Sequence, residues 1–304
     1  MYLEHFKLQD YPFRLTPDTG FYFNWSGHQD ALNVLLVALR SGEGFIKITG
    51  EVGTGKTLLC RRLLNHLKDG FTTAYLPNPL LSPRDLYLAV VDELGLPRPS
   101  KGNVQDLLKL LYAELVKSSQ AGKPVVILLD EAQTMPTQSL EALRLLSNLE
   151  TEKRKLLHIV LFGQPELDRR LAETDLRQLR QRIAFSHRLP PLDRKTLQRY
   201  LDHRLHCAGH AGSSLFSRRA LVLLQKASRG IPRLVNVLGH KAMLAAYGQG
   251  SKSVSSRHLR AAITDTEDVV PVSLRWIPWT VLGCCGLAVL LTPSVQDLLQ
   301  GGWP

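Results

Sequence analysis

The segment GEVGTGKT at residues 50–57 has the residue types and the spacing of a phosphate-binding loop. Its glycines let the backbone N–H groups point inward and surround an anion, and the start of the following helix adds positive potential. The Lys56 ammonium can reach the β- and γ-phosphates of a nucleotide, and the Thr57 hydroxyl can ligate Mg²⁺. The residues predicted to bind the nucleotide are Gly50, Glu51, Val52, Gly53, Thr54, Gly55, Lys56, Thr57 and Leu58.

Two adjacent acids complete the predicted site. Asp130 and Glu131 follow the apolar run VVILL, well downstream of the loop. At the end of a strand, Asp130 is placed to ligate the metal, and Glu131 is the natural base to polarise a water that attacks the γ-phosphate. A solvated strand end would explain two acids standing alone, but the upstream loop favours metal-dependent hydrolysis of a nucleoside triphosphate.

The pattern of apolar residues predicts the elements that position these side chains. Strands alternate with helices, and the apolar run 124–129 is typical of a central parallel strand covered on both faces. The alternation indicates an α/β fold, in which right-handed crossovers connect the strands of a parallel sheet. We predict strands at 45–49, 72–76, 124–129 and 158–162, and helices near 28–39, 56–67, 83–94, 104–118, 140–149, 165–172 and 175–183.

The pattern becomes wholly helical after Pro190 and Pro191. Ser217 and Ser255 are suitable N-caps for two of the predicted helices. The sequence therefore predicts an α/β domain over residues 1–191 and a small helical domain over 192–268. The four predicted helices of the second domain lie near 193–207, 217–228, 231–247 and 255–267.

The formal net charge of +11 is concentrated in one block of the chain. Residues 151–250 contain 19 basic and 7 acidic side chains, whereas residues 1–150 contain 15 and 16. Such an asymmetry indicates an anionic partner, either nucleic acid, phosphate or an acidic membrane surface, and a solvated basic face is the alternative. With 44% hydrophobic residues the chain is not disordered, and its four cysteines form no disulfide framework.

The C-terminal segment differs from the rest, because residues 276–296 contain no charged side chain. We predict a linker at 269–275, a single transmembrane helix at 276–292 and a short tail at 293–304. Trp276 and Trp279 are aromatic residues of the kind found at membrane interfaces. Arginines precede the segment, so the positive-inside rule places the N-terminal domains in the cytoplasm and the tail outside. A buried C-terminal helix is the alternative.

Several motifs resemble those of AAA+ ATPases. GEVGTGKT, VVILLDEAQ and LHIVLFGQPEL carry this resemblance. FKLQDYPFRLTPD, GHQDAL, LRQLRQRIAFSHRLPPL and RGIPRLVN extend it to the secretion ATPases of the GspA/ExeA type and their MshM-type relatives in mannose-sensitive haemagglutinin (MSHA) pilus biogenesis. Over about residues 1–268, the resemblance implies a P-loop AAA+ fold with a C-terminal all-helical lid, and ATP and Mg²⁺ as substrate and cofactor.

The resemblance also implies roles for residues outside the loop and the acidic pair. Gln164 follows a strand where such ATPases carry a polar sensor residue that can orient the attacking water. Arg233 opens a lid helix and matches the arginine that contacts the γ-phosphate from the lid. Pro12 and Phe13 resemble the segment that lies beside the adenine of the bound nucleotide in these ATPases, where an aromatic ring can stack on the purine. Each residue also has a purely structural alternative. Gln164 could simply close a strand, Arg233 could belong to an ordinary helix start, and the aromatics of the Pro12–Phe13 segment could be core residues.

Three arginines, Arg177, Arg180 and Arg182, precede the two prolines. In the related ATPases an arginine of this stretch reaches the nucleotide of a neighbouring subunit, which implies a homo-oligomer. A guanidinium suits this role because it stays charged and binds phosphate oxygens at two points. Arg182 is the first choice and Arg180 the second, and a basic helix face is the alternative.

The leading hypothesis is an ATPase anchored in the bacterial inner membrane by a single pass, with its ATPase domain cytoplasmic and its tail periplasmic. It would assist type II secretion or assembly of a type IV, MSHA-type pilus together with other assembly proteins. Secretion relatives often continue into a periplasmic cell-wall-binding domain, for which 293–304 is too short, so we expect the short pilus type. The alternatives are a DNA-associated ATPase of the transposition or origin type, which would use the basic block, and a scaffold that binds ATP with little turnover.

Overall fold

A computed structural model describes residues 2–15, 19–99, 103–150, 155–267 and 269. Five strands form one parallel sheet in the order β2-β3-β4-β1-β5. The two central strands β3 and β4 are buried along their whole length, which confirms the parallel sheet predicted from the apolar runs. The strands are β1 Phe45–Thr49, β2 Thr72–Leu76, β3 Val125–Leu129, β4 Leu157–Gly163 and β5 Ile183–Arg188.

Helices cover both faces of this sheet, and successive residues of β3 show how. Val125, Ile127 and Leu129 belong to the core shared with α4–α8, whereas Val126 and Leu128 belong to the core shared with α2 and α3. The helices before the lid are α1 Tyr2–His5, α2 Ser26–Arg40, α3 Lys56–Leu67, α4 Pro83–Glu93, α5 Val104–Gln120, α6 Thr137–Leu146, α7 Pro165–Leu171 and α8 Arg177–Arg182. Short 3-10 turns lie at Thr19–Phe21, Ala132–Thr134 and Thr174–Leu176.

The fifth strand is a finding that the sequence pattern did not predict. β5 pairs with β1 at the edge of the sheet, and its residues alternate between half-buried and exposed. This edge position explains the miss, because β5 has no apolar run of the kind that identifies β3 and β4. The predicted helix at 140–149 also lies differently, since α6 begins directly after Pro136 and ends at Leu146.

The C-terminal part of the described chain consists of four helices, called the lid below. They are α9 Arg194–Cys207, α10 Arg218–Ser228, α11 Pro232–Gly248 and α12 Ser256–Thr264. The Ser217 hydroxyl caps α10 by accepting from the Ala220 amide. A parallel bridge between Phe216 and Val254 joins the segments that lead into α10 and α12. At the other end of the chain, the Tyr2 hydroxyl contacts His240 of α11 at 2.9 Å.

Within the described residues, no helix combines the length and the apolar character that crossing a membrane requires. The predicted transmembrane helix at 276–292 lies outside the described residues, as do most of the linker and the whole tail.

Candidate functional site

The predicted phosphate-binding loop lies between β1 and α3 and is packed from two sides. Gly53 and Gly55 have φ of 82° and 92°, in the left-handed region that favours glycine. A Cβ at Gly53 would lie 2.4 Å from the Cβ of Arg233, and one at Gly55 would lie 2.7 Å from Cε1 of His28. Glycine is therefore required at both positions by the backbone conformation and by the close neighbours.

The Lys56 side chain lies inside this loop. It is 5% exposed, and its ammonium donates to the carbonyls of Gly50 at 2.9 Å and Glu51 at 3.2 Å. Burial lowers the pKa of Lys56, and the nearby carboxylates of Glu131 and Asp130 oppose this shift. The buried ammonium is thus held by the loop that a phosphate would contact.

Asp130 directly follows β3 and contacts Thr57 in the first turn of α3. Its side chain is 2% exposed and accepts from the Glu131 amide at 3.0 Å. Burial raises the pKa of Asp130, whereas a hydrogen bond from the Thr57 hydroxyl lowers it. A hydroxyl and a buried carboxylate in contact form an oxygen donor set that fits Mg²⁺.

Glu131 is held by two amide side chains. One carboxylate oxygen, Oε2, accepts from Nε2 of Gln133 at 2.5 Å and from Nε2 of Gln164 at 3.0 Å. The structure thus brings the predicted sensor residue Gln164 against the predicted base. Gln133 is a site residue that the sequence reasoning missed, and its place two residues after Glu131 was the signal available.

A cavity of about 420 Å³ joins the loop to the lid. Its floor is residues 52–58 and Glu131, and Arg233 lies at the lid side, where its backbone amide donates to the Gly53 carbonyl at 3.3 Å. The cavity is therefore bounded by the predicted phosphate-binding loop, by the predicted general base Glu131 and by the predicted lid arginine, Arg233. Its other lining residues are Arg14, Leu15, Phe21, Tyr22, Phe23, Trp25, His28, Arg61, Leu192, Tyr200, Arg204, Pro232 and Asn236.

Pro12 and Phe13 are not among the residues that line the cavity, and their place beside the adenine stays a prediction. The Phe13 ring is 2% exposed and packs edge-on against Phe216 at 6.0 Å, and it also contacts Gly239 of α11. The ring is buried in the lid because an apolar surface is available there. Aromatics of the following segment, Phe21 and Tyr22 among them, line the cavity instead.

Arg204 connects this N-terminal segment to the lid. The residue is 7% exposed, and its guanidinium donates to the carbonyls of Pro12 at 2.5 Å and Arg14 at 3.2 Å and lies 4.7 Å from the centre of the Phe21 ring. Sequence reasoning did not single out Arg204, because one arginine in a basic helix is not distinguished from its neighbours.

The three arginines near α8 have different surroundings. Arg182 is half-buried, and its guanidinium donates to the Ser147 hydroxyl at 2.8 Å, so it ties the end of α8 to the residue that follows α6. Arg177 and Arg180 are exposed, and neither has an ion-pair partner among the described residues. Arg180 is thus more exposed than the first choice, Arg182, and which arginine reaches another subunit stays a prediction.

Residues 39–171 match the model of a family described as an AAA domain. The chain is also 41% identical over 254 residues to general secretion pathway protein A of Aeromonas hydrophila. That alignment covers 84% of this chain and 46% of the relative, so the chain spans about half the length of the curated relative it matches.

Solved structures with related folds are less similar in sequence. The Aeropyrum pernix ORC2 protein in its ADPNP–ADP complexes has a TM-score of 0.57 at 20% identity, with coverage of 83% of this chain and 72% of that one. Drosophila ORC bound to DNA has a TM-score of 0.58 at 20% identity, with coverage of 84% and 64%. These likenesses show the fold of the described chain.

A single methyl group tests the packing of the loop. We expect Gly53→Ala to weaken ATP binding at least ~10-fold, equivalent to about 1.4 kcal/mol, because the new Cβ meets Arg233. Gly42→Ala is the matched control, since Gly42 has nearly the same φ, 81°, and nothing within 4 Å of its Cβ position. Titration with a fluorescent ATP analogue measures both variants. Equal affinities would show that the contact between Gly53 and Arg233 does not matter for binding.

Proposed function

We propose that this chain, which carries an AAA domain and is similar to general secretion pathway protein A, binds ATP and hydrolyses it with Mg²⁺. The observation that carries the proposal is one arrangement of side chains. The loop with its buried Lys56, the contact between Thr57 and Asp130, and the amide-held Glu131 all lie at one end of the parallel sheet. Each part has the chemistry that one step of phosphoryl transfer needs.

Each residue has a separate task in this proposal. The loop amides and Lys56 bind the phosphates, and Thr57 and Asp130 would hold Mg²⁺, which neutralises phosphate charge when bound. Glu131 accepts the proton of the attacking water, and Gln164 fixes the orientation of its carboxylate. Arg233 stabilises phosphate charge from the lid side of the cavity.

The lid would follow the state of the nucleotide because it touches the loop directly. The Arg233 amide donates to Gly53, and Arg204 holds the segment that lines the cavity opposite the loop. A change of loop conformation at Gly53 therefore moves the start of α11. Such a rearrangement of domains is a common output of nucleotide hydrolysis.

Replacing the proposed base separates hydrolysis from binding. We expect Glu131→Gln to lower the ATPase rate ~10²–10⁴-fold while ATP affinity stays within about twofold, because the amide keeps the shape but accepts no proton. Phosphate release and analogue titration measure the two quantities. Glu173→Gln, at an exposed position after α7, is the control. An unchanged rate would remove Glu131 from its role, and a wild-type protein that binds ATP without turnover would be a scaffold.

A homo-oligomer would complete the site, with a neighbour's arginine at the nucleotide. Arg180 is the better candidate, because it is exposed on α8 whereas Arg182 is bonded to Ser147. Arginine supports this role since its charge persists at all relevant pH values.

We assign the ATPase to a secretion or type IV pilus machine at the bacterial inner membrane. The similarity to general secretion pathway protein A supports a secretion role, and the uncharged segment 276–296 supports an anchor. The proposed organisation keeps the α/β domain at 1–191, the lid at 192–268, the linker at 269–275, the anchor at 276–292 and the tail at 293–304. The MSHA-type pilus is the finer proposal and rests on the motif resemblance.

Extraction of membranes tests the anchor. We expect the full chain to stay in the pellet after carbonate washing and a chain that ends at residue 268 to be released, because only the first contains the uncharged segment. Immunoblotting of the two fractions measures this, and co-purification of the pelleted protein identifies its partners. Release of the full chain by the carbonate wash would contradict the proposal that residues 276–292 anchor it in the membrane.

A DNA-associated ATPase is the second candidate, and the charge of the lid favours it. Residues 192–267 contain thirteen Lys and Arg against four Asp and Glu, and among described ion pairs the lid contains only Lys241 with Asp265. Binding to phosphate backbones by such a surface falls steeply with salt. We expect fluorescence anisotropy with duplex DNA to show no binding at 50 mM salt, and affinity that falls with rising salt would establish this second candidate.

A further inference from the structure

The turn after β3 presents Glu131 and Gln133 at the same place. Glu131 has φ of 53° and ψ of 37°, a left-handed conformation that is unfavourable for a non-glycine residue. The 3-10 turn Ala132–Thr134 follows, and the Thr134 hydroxyl closes it by donating to the Glu131 carbonyl at 2.8 Å. The backbone is therefore held in an unfavourable conformation that brings the two side chains together.

Both ends of the Gln133 side chain are in use, and the partners fix which end is which. Oε1 accepts from the backbone amide of Gln164 at 3.0 Å. Because a backbone N–H only donates, the atom facing it must be the oxygen, and the NH₂ end must face Glu131. Nε2 then donates to the Glu131 carboxylate. Exchange of the two amide ends would place two acceptors together at Glu131 and two donors at Gln164.

A further contact holds the turn from α7. Arg170 donates to the Gln133 carbonyl at 2.6 Å and approaches the Thr137 hydroxyl at 3.5 Å. Gln164, at the N-cap position of the same helix, is bonded to Gln133 as well. Gln133 thus connects the ends of β3 and β4, the two strands that carry Glu131 and Gln164.

The geometry points to Gln133 as a positioning residue that acts through Glu131. Both amides donate to the same oxygen, Oε2, and no described side chain or amide donates to Oε1. Gln133 and Gln164 together therefore fix the rotation of the carboxylate and leave Oε1 to accept the proton of water. This inference rests on the proposed ATPase function and assigns the orientation of its base to a residue outside the predicted site.

A double-mutant cycle tests this role in the full-length protein. We expect Gln133→Met, which keeps the length but removes both hydrogen bonds, to lower kcat ~10–100-fold with KM for ATP within about twofold. Added to Glu131→Gln, the same change should alter the residual rate less than about twofold, because a residue that acts through Glu131 has nothing left to orient. Gln138→Met, at an exposed position of α6, is the matched control and should leave the rate unchanged.

A second variant keeps the proposal testable if Gln133→Met does not fold. Gln133→Glu retains the acceptor for the Gln164 amide but places a carboxylate against Glu131, so kcat should again fall with KM kept. Circular dichroism and the melting temperature check folding of each variant. A kcat equal to that of Gln138→Met, or losses that multiply in the Glu131→Gln background, would overturn the positioning role. Absence of ATP hydrolysis by the wild type would instead overturn the proposed function, and the inference with it.

Discussion

The close packing of the glycine loop between two helices is the constraint on which the rest of the site depends. Gly53 lies against the first turn of α11, and Gly55 lies against His28 of α2, whose Nε2 also bonds to the Thr54 carbonyl. Neither neighbour leaves room for a β-carbon. The loop therefore has its conformation imposed from the α/β part and from the lid at once, and the buried Lys56 and Asp130 take their places beneath it.

Lys56 and Asp130 are both buried, so each of them depends on contacts with neighbouring groups of the protein. Burial lowers the pKa of Lys56 and raises the pKa of Asp130, so burial disfavours the charged form of each group and specific neighbours oppose this effect. For Lys56 these neighbours are above all the carboxylates of Glu131 and Asp130, and for Asp130 they are the Thr57 hydroxyl and the Glu131 amide. A nucleotide and its metal would exchange some of these contacts for stronger ones, so binding and loop conformation are linked.

Much of the fold could be predicted from the sequence, because long apolar runs and glycine spacing are strong local signals. The bounds of β1, α3 and β2 agree with the predicted ones, whereas β5 was missed because an edge strand carries little apolar pattern. Within the site, the loop and the acidic pair were found from motifs. Gln133 and Arg204 were not, because their contacts depend on a left-handed turn and on a segment distant in sequence. Residue type alone left open whether Phe13 lies in the core or beside a nucleotide, and the structure shows its ring buried against Phe216.

The parallel bridge between Phe216 and Val254 couples two helices of the lid, α10 and α12. It is made by the Val254 amide with Leu215 and the Ser217 amide with Val254, and it ties the segment before α12 to the start of α10. Both helices pack on α11, whose first turn touches Gly53. A displacement of α12 would therefore be shared with α10 and α11, and because α11 contacts the loop at Gly53, the three lid helices and the phosphate-binding loop are coupled through packing.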